Sequence, residues 1–135
     1  MMTSVLMCLA MNVYHEARSD HTIGQYAVAH VVMNRVMSDR YPNSVCDVVK
    51  QGYEKGKHKC QFSWYCDGKS DTPTEPRAWA LATLVAYDVL NGTVPDITSG
   101  ATHYHATYVK PYWAKHFKET GKYGSHVFYT APDGK

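Results

Sequence analysis

VLMCLAMNVYHEARSD, residues 5–20, begins as an apolar helix and puts a carboxylate where such a helix buries its face. The spacing predicts a helix over 4–17. Ser4 suits its N-cap, because a hydroxyl there accepts from the exposed amides of the first turn. At about 100° per residue, Val5, Leu9 and Val13 fall on one side, and Glu16 lies about 20° from Val5 on that side. Glu16 also falls in the last turn, where the helix dipole disfavours negative charge. Burial and dipole both push its carboxyl above the ordinary value of about 4.3. A carboxyl still protonated near neutrality is what a general acid must be. The structural alternative pairs Glu16 with Arg18 or Arg35, since ion-pair networks perturb pKa values too.

Working outward, Thr22 to about Ser38 reads as a second helix. Thr22-Ile-Gly-Gln25 has capping-box spacing, and Ile23, Ala27, Val28, Val31, Val32 and Val36 make its apolar face. Pro42 ends it by disfavouring helix at Tyr41. Ser44 caps a short third helix through Gln51, closed by Gly52. Residues 53–72 read as an exposed basic loop followed by a short extended segment. The clearest helix lies in 72–92: Glu75 and Pro76, after Thr74, suit its first turn, Trp79, Ala82, Val85, Ala86 and Val89 form its buried stripe, and Gly92 stops it. Beyond it, ATHYHA (101–106) and SHVFYT (125–130) read as paired strands, with one helical turn in KPYWAKHF (110–117) between them. The fold class is α+β, mostly helical with a small C-terminal antiparallel sheet, in a single domain over 1–135.

Composition excludes several classes. The 135 residues are 44% hydrophobic and 19% charged, inside the globular range. A net charge of +2 is too weak a bias for nucleic acid. No run approaches the roughly 20 apolar residues that cross a bilayer. The N-terminus lacks the basic segment of a signal peptide, so the expected product is made in the cytoplasm. Eleven Tyr and three Trp, against three Phe, suit a cleft that stacks sugar rings, although half-buried tyrosines are also ordinary packing. Cys8 fits a buried thiol, while Cys60 and Cys66 flank QFSWY and can close a short loop if oxidised. The redox state of Cys46, Cys60 and Cys66 stays open.

Cleaving a glycosidic bond needs a proton for the leaving oxygen, and ordinary glycosidases add a second carboxylate. The other glutamates, Glu54, Glu75 and Glu119, lie in polar contexts and read as surface. Asp20 falls past the helix end. That leaves a one-acid mechanism, in which the same group gives and then takes a proton while a substrate hydroxyl attacks.

CLAMNVYHEARSD (8–20), GQYAVAHVVMNRV (24–36), YPNSVCDVVKQ (41–51), CQFSWYCDG (60–68), VPDITSGATHYHA (94–106), WAKHF (113–117) and GSHVFYT (124–130) resemble, in order, the SleB/CwlJ family of cell wall hydrolases. The resemblance implies a truncated lysozyme-like, lytic transglycosylase-like domain acting on peptidoglycan glycan strands, with no cofactor and no metal. It implies Glu16 as catalytic residue and Gln61, Phe62, Ser63, Thr102 and Tyr104 as substrate contacts. Core packing is the other reading of Phe62 and Trp64. Compared with spore enzymes of that family, no separate wall-binding domain is expected, and the KGKHKC segment is unusual. A phage endolysin, released by a holin and acting as a monomer without membrane insertion, is therefore expected. The lysines 55, 57 and 59 can hold an anionic surface at low salt, or simply solvate a loop.

Three rivals stay in view. His103 and His105 alternate on a strand and can share a metal, as in an amidase, but no HExxH occurs. Cys60 or Cys66 with a histidine can make a nucleophile, though nothing in the spacing pairs them. A sugar-binding module explains the aromatics but not the acid.

Overall fold

The computed structural model describes residues 4–132, so the extreme ends of the expected domain lie outside it. Four helices, α1 (Val5–Ala17), α2 (Thr22–Val36), α3 (Val45–Val49) and α4 (Pro76–Leu90), precede three strands, β1 (His103–Ala106), β2 (Lys118–Tyr123) and β3 (His126–Thr130). β3 is the middle strand, antiparallel to both neighbours in the order β1-β3-β2.

α1 is the central element, in contact with α2, α3 and α4. Ser4 caps it as expected, its Oγ accepting from Met7 N at 3.0 Å. Every residue from Cys8 to Tyr14 is buried. Seven consecutive residues at 100° each cover the whole circumference, so the helix is enclosed and has no polar face along that length. This corrects the one-sided wheel: Val5, expected inside, is 48% exposed at the open N-terminal end. Leu9 and Val13 are fully buried as expected. Inside this enclosure Asn12 Oδ1 accepts from Trp64 Nε1 at 2.8 Å, while its Nδ2 has no hydrogen-bond partner among the described residues.

α2 starts without the expected capping box. Its N-cap is His21, with no side-chain cap, and the Gln25 amide donates to Asp20 O at 3.3 Å. Ile23 is 51% exposed rather than buried, although Gly24 and Gln25 beside it in the first turn of α2 are buried. Ala27, Val28, Val31 and Val32 are buried, as read from the sequence. Ser44 Oγ caps α3 through Asp47 N at 3.2 Å, and Gly52 beyond it takes a φ of 93° that favours glycine. α4 begins at Pro76 and buries Ala82, Val85, Ala86 and Val89 against the core, with Trp79 partly buried.

Three further expectations are corrected. The segment expected to be extended contains a 3-10 turn at Ser63–Cys66, which turns Trp64 inward. Cys8 is no free thiol: it is bonded to Cys46, tying α1 to α3; Cys60 is bonded to Cys66, closing the short loop that the sequence left open. The sequence offers no strand signal for β2: KETGKY has no apolar alternation because it is an edge strand with no buried side chain, ordered by its ladder to β3. The β1–β3 pairing and the helical turn at Tyr112–His116 agree with the sequence reading.

Two apolar clusters result. One joins α1, α3 and α4 with Phe62 and Trp64. The other holds Ala17, Ala27, Val28, Val31, Ala101 and Phe128. Tyr104 on β1 packs against both, which places it at the seam where α1 ends.

Candidate active site

Glu16 is the next-to-last residue of α1, partly buried where the enclosed helix gives out. Tyr104 on β1 donates its phenolic hydrogen to Glu16 Oε1. Burial raises the Glu16 pKa above its ordinary value, as expected. Four groups offset part of that rise: the Tyr104 hydrogen bond, then the charges of His126, Arg35 and His15. Burial also pushes Tyr104 well above the usual phenol range, reinforced by the neighbouring carboxylate. The phenol is therefore a lasting donor to Glu16 across the neutral range.

Neither arginine considered as a structural partner forms a salt bridge with Glu16 among the described residues. Arg18 pairs with Glu75 at 2.6 Å on an exposed surface, worth under about 1 kcal/mol. Arg35 is buried, gives its Nε hydrogen to Thr102 O at 2.8 Å and lies over the rings of Tyr41 and Phe62 at 5.0 and 5.1 Å. Its Nη1 has no hydrogen-bond partner among the described residues. The guanidinium thus acts on Glu16 through its field rather than by contact.

The residues singled out by resemblance divide. Tyr104 touches Glu16, and Thr102 sits two residues earlier, its carbonyl held by Arg35 and its hydroxyl 3.0 Å from His103 Nδ1. Phe62 is buried beneath Arg35, where the packing reading fits its position. Gln61 and Ser63 on either side of it are exposed. Trp64 is buried too and stacks on His15 at 4.5 Å between centroids. A concavity of about 450 Å³ includes Thr102, and one of about 250 Å³ includes His15 and Trp64; Glu16 lines neither.

The second carboxylate that sequence reasoning set aside has a use. Asp20 Oδ1 accepts from His21 N at 2.8 Å and Ser125 N at 3.1 Å, while Oδ2 receives His126 Nδ1 at 3.1 Å. Burial alone would raise its pKa, but the Ser125 and His21 amides and His126 outweigh that and hold it below the usual carboxylate range. Asp20 and His126 are separated by 106 positions, and neither RSD nor GSHVFYT carries a local sign of the other.

The paired histidines are engaged with different neighbours. His105 engages Ala106 O at 2.7 Å and Tyr129 Oη at 2.8 Å, while His103 engages Thr102 Oγ1 and, at 3.4 Å, Tyr41 Oη. No group of three or more His, Cys, Asp or Glu side chains suited to a metal occurs among the described residues. All four cysteines are in disulfides, so none is a thiol nucleophile in this structure.

Known proteins share this architecture. The catalytic domain of the Bacillus cereus SleB protein superposes with a TM-score of 0.73 at 30% identity, over 93% of this chain and 89% of that one. The catalytic domain of the germination-specific lytic transglycosylase SleB from Bacillus anthracis does so with a TM-score of 0.75 at 29% identity, over 96% and 97%. The lysozyme-like fold expected by resemblance is therefore the fold found. In sequence, spore cortex-lytic enzymes of Halalkalibacterium halodurans and Bacillus cereus are each 30% identical over 125 residues, 91% of this chain. The chain spans only 34% and 43% of their respective lengths. Residues 19–129 match the family described as Cell Wall Hydrolase, and the chain belongs to that family.

Proposed function

We propose that the protein cleaves peptidoglycan glycan strands between N-acetylmuramic acid and N-acetylglucosamine, with Glu16 as both acid and base. The observation that carries this reading is a single carboxyl, raised in pKa by burial and held by Tyr104, with the nearest acid in sequence fully engaged elsewhere. Asp20 engages both oxygens with protein N–H donors, which suits it to holding His126 rather than to serving as nucleophile or water-activating base. The likeness to SleB domains, one of them described as a lytic transglycosylase, supports the same reading.

In this mechanism the strand crosses the surface where α1 ends against β1. Protonated Glu16 gives its proton to the bridging oxygen as the muramyl C1–O bond breaks. The carboxylate then takes the proton of the muramyl C6 hydroxyl as that oxygen bonds to C1. The product is a 1,6-anhydro sugar, and Glu16 ends protonated for the next turn. Thr102, Tyr104, Gln61 and Ser63 are the proposed substrate contacts, with Phe62 supporting them from beneath. Muramidase-type hydrolysis differs only in that water attacks C1.

Mass spectrometry of muropeptides released from purified walls tests this. Anhydromuropeptides support the transglycosylase reading, products heavier by one water support hydrolysis, and cut stem peptides on intact glycan overturn the class. Loss of all release in Glu16→Gln, with fold retained, is the expected companion result. The endolysin role, with synthesis in a host cytoplasm and release by a holin, rests on the sequence alone. Co-expression with and without a holin in a bacterial host tests it, lysis being expected only with the holin.

A further inference from the structure

We propose that Asp20 and His126 form a positioning pair for the acid. Asp20 fixes His126 through Nδ1, the ring of His126 stands edge-on to Tyr104, and Tyr104 holds Glu16. The inference deepens the proposed reaction and rests on the Glu16 reading.

The pair is built with more constraint than a surface ion pair has. The Asp20 and His126 side chains are 5% and 11% exposed. Ser125 N donates to both Asp20 oxygens, at 3.1 and 3.2 Å, and His21 N adds a third bond. Gly24 and Gly124 close over the same carboxylate, and a Cβ at either position would collide with it. Gly124 also takes a φ of 61°, in the left-handed region that favours glycine. The chain thus gives up side chains at two positions on separate elements to seat one carboxylate. His126 then meets Tyr104 edge-on, with centroids 5.2 Å apart and planes 88° apart.

Asp20 as acceptor puts the imidazole hydrogen on Nδ1 and leaves Nε2 as the free nitrogen of the neutral ring. Positive charge on this ring favours the carboxylate form of Glu16, the form left after proton donation. The groups facing Glu16 are His15 from α1, Arg35 from α2, Tyr104 from β1 and His126 from β3. Of these, His126 is the one tied to a carboxylate of its own. Arg35 is a fixed charge, Tyr104 stays neutral, and His15 is committed to Asp71 O at 2.8 Å.

The test is a pair of variants, His126→Gln and Asp20→Asn, assayed on purified peptidoglycan from pH 4 to 9 alongside Glu16→Gln. The expected result is a fall in kcat of about tenfold with KM within about twofold, and an alkaline limb displaced upward by roughly 0.5–1 pH unit. A purely structural role would lower Tm and leave the limb where it was; that outcome, in variants that fold, overturns the pair. Where a variant does not fold, long-range proton–nitrogen NMR of the wild-type protein decides instead. A hydrogen on His126 Nδ1 supports the pair, and a hydrogen on Nε2 with bare Nδ1 overturns it. An active Glu16→Gln would sink the catalytic reading itself. An inactive Glu16→Gln with an unmoved limb in the other two sinks only the positioning pair.

Discussion

Tyr104 on the first strand is hydrogen-bonded to Glu16 at the end of the first helix, joining residues 88 positions apart. The contact matters because both groups sit in the seam between two apolar clusters, where water competes poorly. It holds the carboxyl in one orientation and offsets part of the rise in pKa that burial causes.

Tyr104→Phe removes that donor and keeps the ring. The hydrogen bond favours the ionised acid, so its loss raises the Glu16 pKa further. The alkaline limb of the pH–rate profile should move to higher pH, and kcat should fall roughly 10- to 100-fold, the worth of a hydrogen bond to a charged group. Steady-state rates across pH check both effects.

Glu16→Gln should be inactive and also more thermostable at neutral pH. Folding raises the Glu16 pKa, so its favourable contribution is complete below the unfolded value of about 4.3 and is lost as pH rises through the folded value. Glutamine cannot ionise and escapes that loss. Thermal melts should show Tm above wild type at pH 8 and close to wild type at pH 4.

His103 should make the protein acid-sensitive. Burial, then the charges of Arg35 and Arg40, lower its pKa to about 4. A depressed value means that its contribution is whole above about pH 6.5, the ordinary value, and is lost as pH falls toward about 4. Asp20 and Asp96 add to the loss at lower pH, since both are held below the usual carboxylate range. Urea midpoints from pH 7 to 4 should fall, and His103→Gln should flatten the slope.

The disulfides should contribute unequally. Cys8–Cys46 closes a separation of 38 residues and Cys60–Cys66 one of 6. Loop-closure entropy then assigns about 4 kcal/mol to the first and about 2 kcal/mol to the second. Cys8→Ala with Cys46→Ala should lower the urea midpoint about twice as far as Cys60→Ala with Cys66→Ala.

Arg35→Ala should cost about 2–5 kcal/mol through lost packing and an unpaired Thr102 carbonyl, and Arg35→Met distinctly less. Both lose the bond to Thr102 O, but Met refills the space under Tyr41 and Phe62 and relieves the unpartnered Nη1. Chemical denaturation of the two variants gives the ordering.

Much of the fold was legible because it is written in local patterns. Caps at Ser4 and Ser44, the periodic apolar residues of α2 and α4, and the paired aromatic strands all lie within a few residues of their cause. The misreadings share the opposite property. Val5 and Ile23 look like core residues but lie exposed, β2 is ordered by its neighbour rather than by its own residues, and the partner of Cys8 lies 38 residues away.

The sequence by itself determined that a helix ends on a carboxylate beside apolar residues, and its ordered motifs identified the family. Only the tertiary structure decided what surrounds that carboxylate. Tyr104 reaches it from β1, His126 on β3 and Arg35 on α2 act on it through their charge, and Asp20 turns away to His126. Helix and cap formation depend on interactions spanning one turn, which local order records. A pKa depends on burial and on charges within a few ångströms, and those are brought together only when distant parts of the chain pack.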